Sequence, residues 1–120
     1  MNLFNTALLV LGANIVTVLA VLVCHECGHV FAAGCAGVKV KKVGFSSKGP
    51  YIVRESGTWT QNLLVTFAGP VASLLMAALF WTSLHSFAWW NLMLGVSQFL
   101  PLPGSDGMRV FRLLASAATR

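Results

Sequence analysis

Two long stretches of this chain carry no Asp, Glu, Lys or Arg: residues 1–24 and residues 61–105. Each exceeds the roughly 20 residues with which a helix crosses a hydrocarbon core of about 30 Å, and an ion stranded there would cost several kcal/mol. Over the 120 residues, 57% are hydrophobic and 9% charged, outside the usual composition of a domain solvated by water. The expected fold is an all-α membrane protein, one domain over 1–120, with spans at about 3–36, 62–84 and 87–102. At about 1.5 Å per residue the first helix reaches about 50 Å, so it tilts or protrudes. No Lys or Arg opens the chain and the apolar run outlasts a signal-peptide core, so the first helix reads as a retained span. The second run is interrupted only by Gly69-Pro70, and the third ends in Pro101-Leu102-Pro103-Gly104.

Residues 38–60 differ in kind. Val38-Lys39-Val40-Lys41 alternates, Lys48-Gly49-Pro50 signals a turn and Tyr51-Ile52-Val53 favours a strand, which predicts a short β-hairpin between helices 1 and 2. Beyond the third span, Arg109 and Arg112 alternate with Val110, Phe111, Leu113 and Leu114, the pattern of a short C-terminal amphipathic helix. All 8 basic residues lie either between spans one and two or after span three. The positive-inside rule makes that side cytoplasmic, with the N-terminus outside, the C-terminus cytoplasmic and Trp81, Trp89 and Trp90 in an outer aromatic belt. Trp59 anchors the inner interface and His85 lies in the outer connection, solvated. Topology and anionic lipid account for the basic balance, so it points to the bilayer and to no nucleic acid. With no targeting tail in view, a bacterial plasma membrane is the default location.

The chemistry concentrates in His25-Glu26-Cys27-Gly28-His29. Two histidines four residues apart on a helix share a face and can hold one tetrahedral zinc, while Glu26, about 100° around the axis, reaches a water beside the metal without being a ligand. Three titratable groups in five positions of a span mark a functional site by their desolvation alone. Zinc lacks a third protein ligand, and the chain offers only 3 acids, Glu26, Glu55 and Asp106. Asp106 follows the second charge-free tract in a Pro- and Gly-rich segment that could aim it inward. Its competing use is as N-cap of a helix starting at Met108. Cys24 and Cys27 project about 100° and 200° from His25, poor directions for the same metal, so the three cysteines read as inert thiols.

These motifs resemble the site-2 protease family (peptidase family M50), intramembrane zinc metalloproteases with a minimal three-helix core. The resemblance rests on HECGH in the first span, Gly69-Pro70-Val71-Ala72-Ser73 in the second and the segment from Pro101 to Gly107. It implies His25, His29 and Asp106 as zinc ligands and Glu26 as general base. It further implies a transmembrane protein substrate, cut in or next to its helix, usually after a first cleavage. The chain departs from the family where Ser73 and Gln98 stand in place of a commoner Asn, and where Ser105 replaces Leu before the Asp. Ser73 and Gln98 are candidates for substrate or oxyanion contacts, and Ser73, with Gly69 and Ala72, equally for close helix packing. A strand at Tyr51–Val53 could pair with an unwound substrate by edge addition. The alternative is a catalytically silent scaffolding or binding subunit that keeps the fold. A homo-oligomer or an accessory membrane subunit remains open as partner.

Overall fold

The computed structural model describes residues 2–47 and 49–118; Lys48 of the expected turn and Arg120 of the charge count lie outside them. Helix α1 runs Leu3–Ala36. Asn2 caps it, its side chain accepting from Asn5 N–H at 2.8 Å. Gly37 ends it at φ 77°, a left-handed conformation that suits glycine, and Val38 N–H closes back on Ala33 O at 2.8 Å. Strands β1 (Val40–Ser46) and β2 (Gly49–Arg54) form the antiparallel hairpin, with Val43 opposite Ile52 and an irregularity between Val40 and Lys42. Of the two strands, β2 is the one that lies chiefly along α1.

Helix α2 spans Trp59–Phe80, beginning earlier and ending earlier than the expected 62–84. Its start is fixed by a capping box: Thr58 accepts from Gln61 N–H while the Gln61 side chain accepts from Thr58 N–H. Gln61 Nε2 also donates to Ala36 O at 2.8 Å, tying the end of α1 to the start of α2. Pro70 is accommodated inside the helix without ending it. Helix α3 covers His85–Phe99. Leu100 is forced into an extended conformation (ψ 142°) by Pro101, which stops the helix short of the expected 102. Helix α4, Asp106–Ala118, is the expected amphipathic one.

Two helices, Leu3–Ala36 and Trp59–Phe80, are long and apolar enough to cross a membrane. The third expected span corresponds to α3, whose 15 residues extend only about 22 Å. α2 lies at the centre, packed on α1, α3 and α4. Close approach is carried by small residues, as expected where lipid supplies no hydrophobic force between helices. A Cβ on Gly28 would come within 2.6 Å of Ala72 Cβ and 2.7 Å of Ala68 O. Many large apolar side chains face outward, including Leu9, Val16, Leu64, Leu75 and Leu79.

Candidate active site

On α1 the buried residues are Val21, His25, His29 and Ala33, a stripe of every fourth residue. The stripe faces α2, whose buried residues include Val65, Gly69 and Ser73. Both histidines are thus held where α1 meets its partner. Asp106 arrives from the other end of the chain, on the first turn of α4, and is itself buried.

Three side-chain atoms meet. Asp106 Oδ2 is 2.8 Å from His25 Nε2 and 3.0 Å from His29 Nε2, and the two nitrogens are 3.2 Å apart. Contacts behind the rings decide which atoms carry protons. His29 Nδ1 lies 2.6 Å from Val65 O. A carbonyl only accepts, so Nδ1 carries the proton and Nε2 is left with its lone pair. His25 Nδ1 is 3.2 Å from Ser73 Oγ, a hydroxyl able to accept from it, so the same tautomer is compatible with this contact. The other carboxylate oxygen of Asp106, Oδ1, lies 3.4 Å from Arg109 Nη1, which donates to it.

Two imidazole nitrogens and a carboxylate oxygen converge on one point, an arrangement that could hold a metal ion. Tetrahedral zinc with ligand bonds near 2.05 Å sets donors about 3.3 Å apart, close to the spacing here. The donor set of two imidazoles and a carboxylate suits zinc, and the ring N–H bonds to Val65 and Ser73 are the kind of support that orients metal-bound histidines.

Several neighbours were not singled out by sequence for what they do here. Gly69 sits against the two ligand rings: a Cβ there would overlap His29 Nε2 and come within 2.8 Å of His25 Nε2. Gln98 Oε1 accepts from Asp106 N–H at 2.9 Å, and Ser73 is fully buried against His25, so each polar group contacts a residue of the His25, His29 and Asp106 cluster. Ser105 takes the N-cap role that Asp106 competed for. Its Oγ accepts from Met108 N–H at 3.1 Å and donates back to Leu102 O at 2.7 Å, fixing the proline-rich turn and leaving the Asp106 carboxylate free. The signal for that cap, a Ser just ahead of a helix, was present in the sequence.

Glu26 is half-buried and, with His29, lines an open cavity of about 540 Å³. Tyr51, Ile52 and Val53 of β2 form another wall of it, and Arg54, Thr66 and Arg109 others. The cysteines stand apart: Cys24, Cys27 and Cys35 are free, and the metal-competent group among the described residues is His25, His29 and Asp106. His85 is exposed, stacked edge-on against Trp81 at the far end of α3.

The sequence model of the family described as Peptidase M50B-like matches residues 3–102. The chain belongs to the M50B-like peptidase family. Relatives carrying the name "Putative zinc metalloprotease Rip3", from two strains of Mycobacterium tuberculosis (Erdman and H37Rv), are each 34% identical over 125 residues. That alignment takes in 85% of this chain and 31% of each relative, so the chain spans about a third of their length. Among solved structures, the Site-2 Protease from Methanocaldococcus jannaschii matches with a TM-score of 0.75 at 24% identity, over 85% of this chain and 53% of that one. The shared M50B-like region therefore includes α1, α2, α3 and the hairpin, and the likeness to the archaeal protein is one of fold.

Proposed function

We propose that this chain is the core of an integral membrane zinc metalloprotease that hydrolyses a peptide bond in or next to a transmembrane helix of a protein substrate. The observation that carries the reading is the convergence of His25 Nε2, His29 Nε2 and Asp106 Oδ2 at 2.8–3.2 Å, beside a cavity walled by Glu26. His25, His29 and Asp106 would hold a zinc ion, which would supply Lewis acidity and lower the pKa of a nearby water towards neutrality.

Glu26 accepts the proton of that water as general base and returns it to the leaving amine nitrogen. Ser73 and the Val65 carbonyl orient the two imidazoles, and Gln98 holds the Asp106 backbone, so Ser73 and Gln98 act through the ligands. Asp106 stays anionic against Arg109, whose Nη1 is 3.4 Å from Oδ1. A helical substrate must first unwind, because its peptide bonds are shielded by their own hydrogen bonds. β2 has one unpaired edge and its residues wall the cavity, so an unwound segment can add to it as a strand and keep its backbone groups satisfied.

α1 and α2 cross the bilayer, and α3 together with the extended turn after it completes a third crossing. The N-terminus lies outside, and the basic hairpin and α4 lie on the cytoplasmic side. The competing reading is a silent binding subunit with the same fold. Elemental mass spectrometry of purified protein, run beside cleavage of co-expressed single-span reporters, separates them. About one zinc per chain is expected. Glu26→Gln should keep the metal while losing about 10²–10⁴-fold in cleavage, and Asp106→Ala should lose both. Zinc with no cleavage of any reporter selects the silent subunit, and protein that never holds metal ends the hydrolase reading.

A further inference from the structure

The cavity beside Glu26 contains two guanidinium groups, of which the hydrolytic reading uses only Arg109, as a neighbour of Asp106. Arg54, the last residue of β2, is half-buried. Its Nη1 donates to Asn62 Oδ1 at 3.0 Å and its Nη2 lies 3.5 Å from Thr66 Oγ1. Asn62 is itself fixed, accepting from Gly57 N–H at 3.0 Å and donating to Gly57 O at 3.1 Å. Arg54 is therefore aimed by neutral acceptors, and among the described residues no carboxylate reaches ion-pair distance of it. Of the chain's 3 acids, Asp106 is engaged by the histidines, Glu55 is exposed, and Glu26 shares the cavity wall. Burial, and after it the charge of Arg109, lower the Arg54 pKa from its usual value against an opposing pull from the Asp106 carboxylate. Arg109 lines the same cavity, its side chain 64% exposed and only loosely paired with Asp106 at 3.4 Å.

A half-buried guanidinium beside a cavity, with no carboxylate at ion-pair distance, is stabilised further by an anionic group that enters the cavity. We infer that Arg54 and Arg109 form an anion subsite that takes an Asp or Glu side chain of the substrate close to the cleaved bond. The proposal rests on the proteolytic reading above and adds a specificity to it. A volume of about 540 Å³ is about 8 Å across, and an extended chain advances about 3.3 Å per residue, so the acidic residue lies within about three positions of the bond. A strand laid along Tyr51–Val53 is led directly to Arg54. The same charges repel Lys and Arg, the residues that usually flank spans on the cytoplasmic side, so the subsite rejects most membrane proteins as well as selecting a few.

The test uses full-length Glu26→Gln protein in phosphatidylcholine nanodiscs and fluorescent, apolar, strand-forming peptides in which one central residue is Asp, Asn or Lys. The Asp peptide is expected to bind at least about tenfold more tightly than the Lys peptide, through charge complementarity. Adding Arg54→Gln should bring that ratio to within about twofold, Arg54→Lys should preserve the order, and Arg112→Gln, which removes a charge outside the cavity, should leave the ratio unchanged. Absence of discrimination, or discrimination that survives Arg54→Gln, overturns the subsite. Discrimination abolished by phosphatidylglycerol in the disc also overturns it, because the guanidiniums then hold lipid phosphate. Cleavage of single-span reporters scanned with Asp and Lys, by protein with Glu26 intact, keeps the two readings apart. Binding discrimination without cleavage supports the subsite and removes the protease, and cleavage with no charge preference does the reverse.

Discussion

The two halves of α1 have nearly the same apolar composition and quite different consequences. From residue 3 to residue 20 no side chain is buried, whereas the lower half buries Val21, His25, His29 and Ala33 on one stripe. In the upper half Thr17 Oγ1 returns its hydrogen bond to the helix's own Ala13 O at 2.8 Å, while in the lower half both imidazoles bond across to α2. One half is dressed for lipid. The other uses the same helical repeat to hold polar atoms against a neighbour that satisfies them. The difference lies in where small residues allow α2 to approach, since the ligands can converge only where α2 comes close.

The glycines give the sharpest way to break that comparison. A Cβ at Gly69 collides with both ligand rings, while one at Gly12, in the upper half, meets nothing within 4 Å. Gly69→Ala is expected to weaken zinc binding on the order of 100-fold, the upper end of what ligand-orienting contacts contribute, measured by competition with a chromogenic chelator. Gly12→Ala should leave zinc binding where it is. Equal zinc affinity in the two variants would mean that the site adapts and that the contrast between the halves is one of polarity alone.

Ser73→Ala comes next in size. It removes the acceptor of the His25 Nδ1 proton but leaves His29 bonded to the Val65 carbonyl, so one ligand of three loses its orientation. Zinc affinity is expected to fall about tenfold, the lower end of the range for such partners. Ser73→Asn, which offers an amide oxygen in place of the hydroxyl, tests whether an acceptor is all that His25 requires. If Ser73→Ala binds zinc normally yet cleaves reporters poorly, Ser73 contacts substrate instead.

Much of this was legible in the residues. The bounds of α1 follow from its unbroken apolar run and from Gly37, and the hairpin from Val38–Lys41 and Tyr51–Val53. The HECGH spacing brings His25 and His29 together because four residues return a helix to one face. Other features were local and still missed: Thr58-x-x-Gln61 is a capping box that starts α2 at Trp59, and Pro101 stops α3 by acting on the residue before it. The rest depends on contacts between distant parts of the chain. Nothing in the string indicates that Gly69 lies against His29, or that Gln98 reaches the Asp106 backbone, because each is a meeting of elements whose approach is set by packing. Arg54 read as a topology charge, and its place in the cavity appears only once β2 is laid along α1 and the Arg54 side chain reaches Asn62 and Thr66 of α2.

The smallest effect is expected at Ser105, and it tests how Asp106 is kept available as the proposed third ligand. Asp at the start of a helix ordinarily caps it, and Asp106 can bind metal only while its carboxylate is spared that role. Ser105 Oγ takes it, accepting from Met108 N–H at 3.1 Å and from Leu102 N–H at 3.1 Å. Loss of a cap costs about 1 kcal/mol, so Ser105→Ala should weaken zinc binding about fivefold, with the Asp106 carboxylate drawn part of the time toward the vacated N–H group. Ser105→Thr, which keeps the hydroxyl, should bind zinc as the unaltered protein does. Unchanged affinity in Ser105→Ala would show that the Gln98 contact alone holds Asp106 in register. The site would then depend on α3 and on the α1–α2 crossing, with the proline-rich turn serving only to connect them.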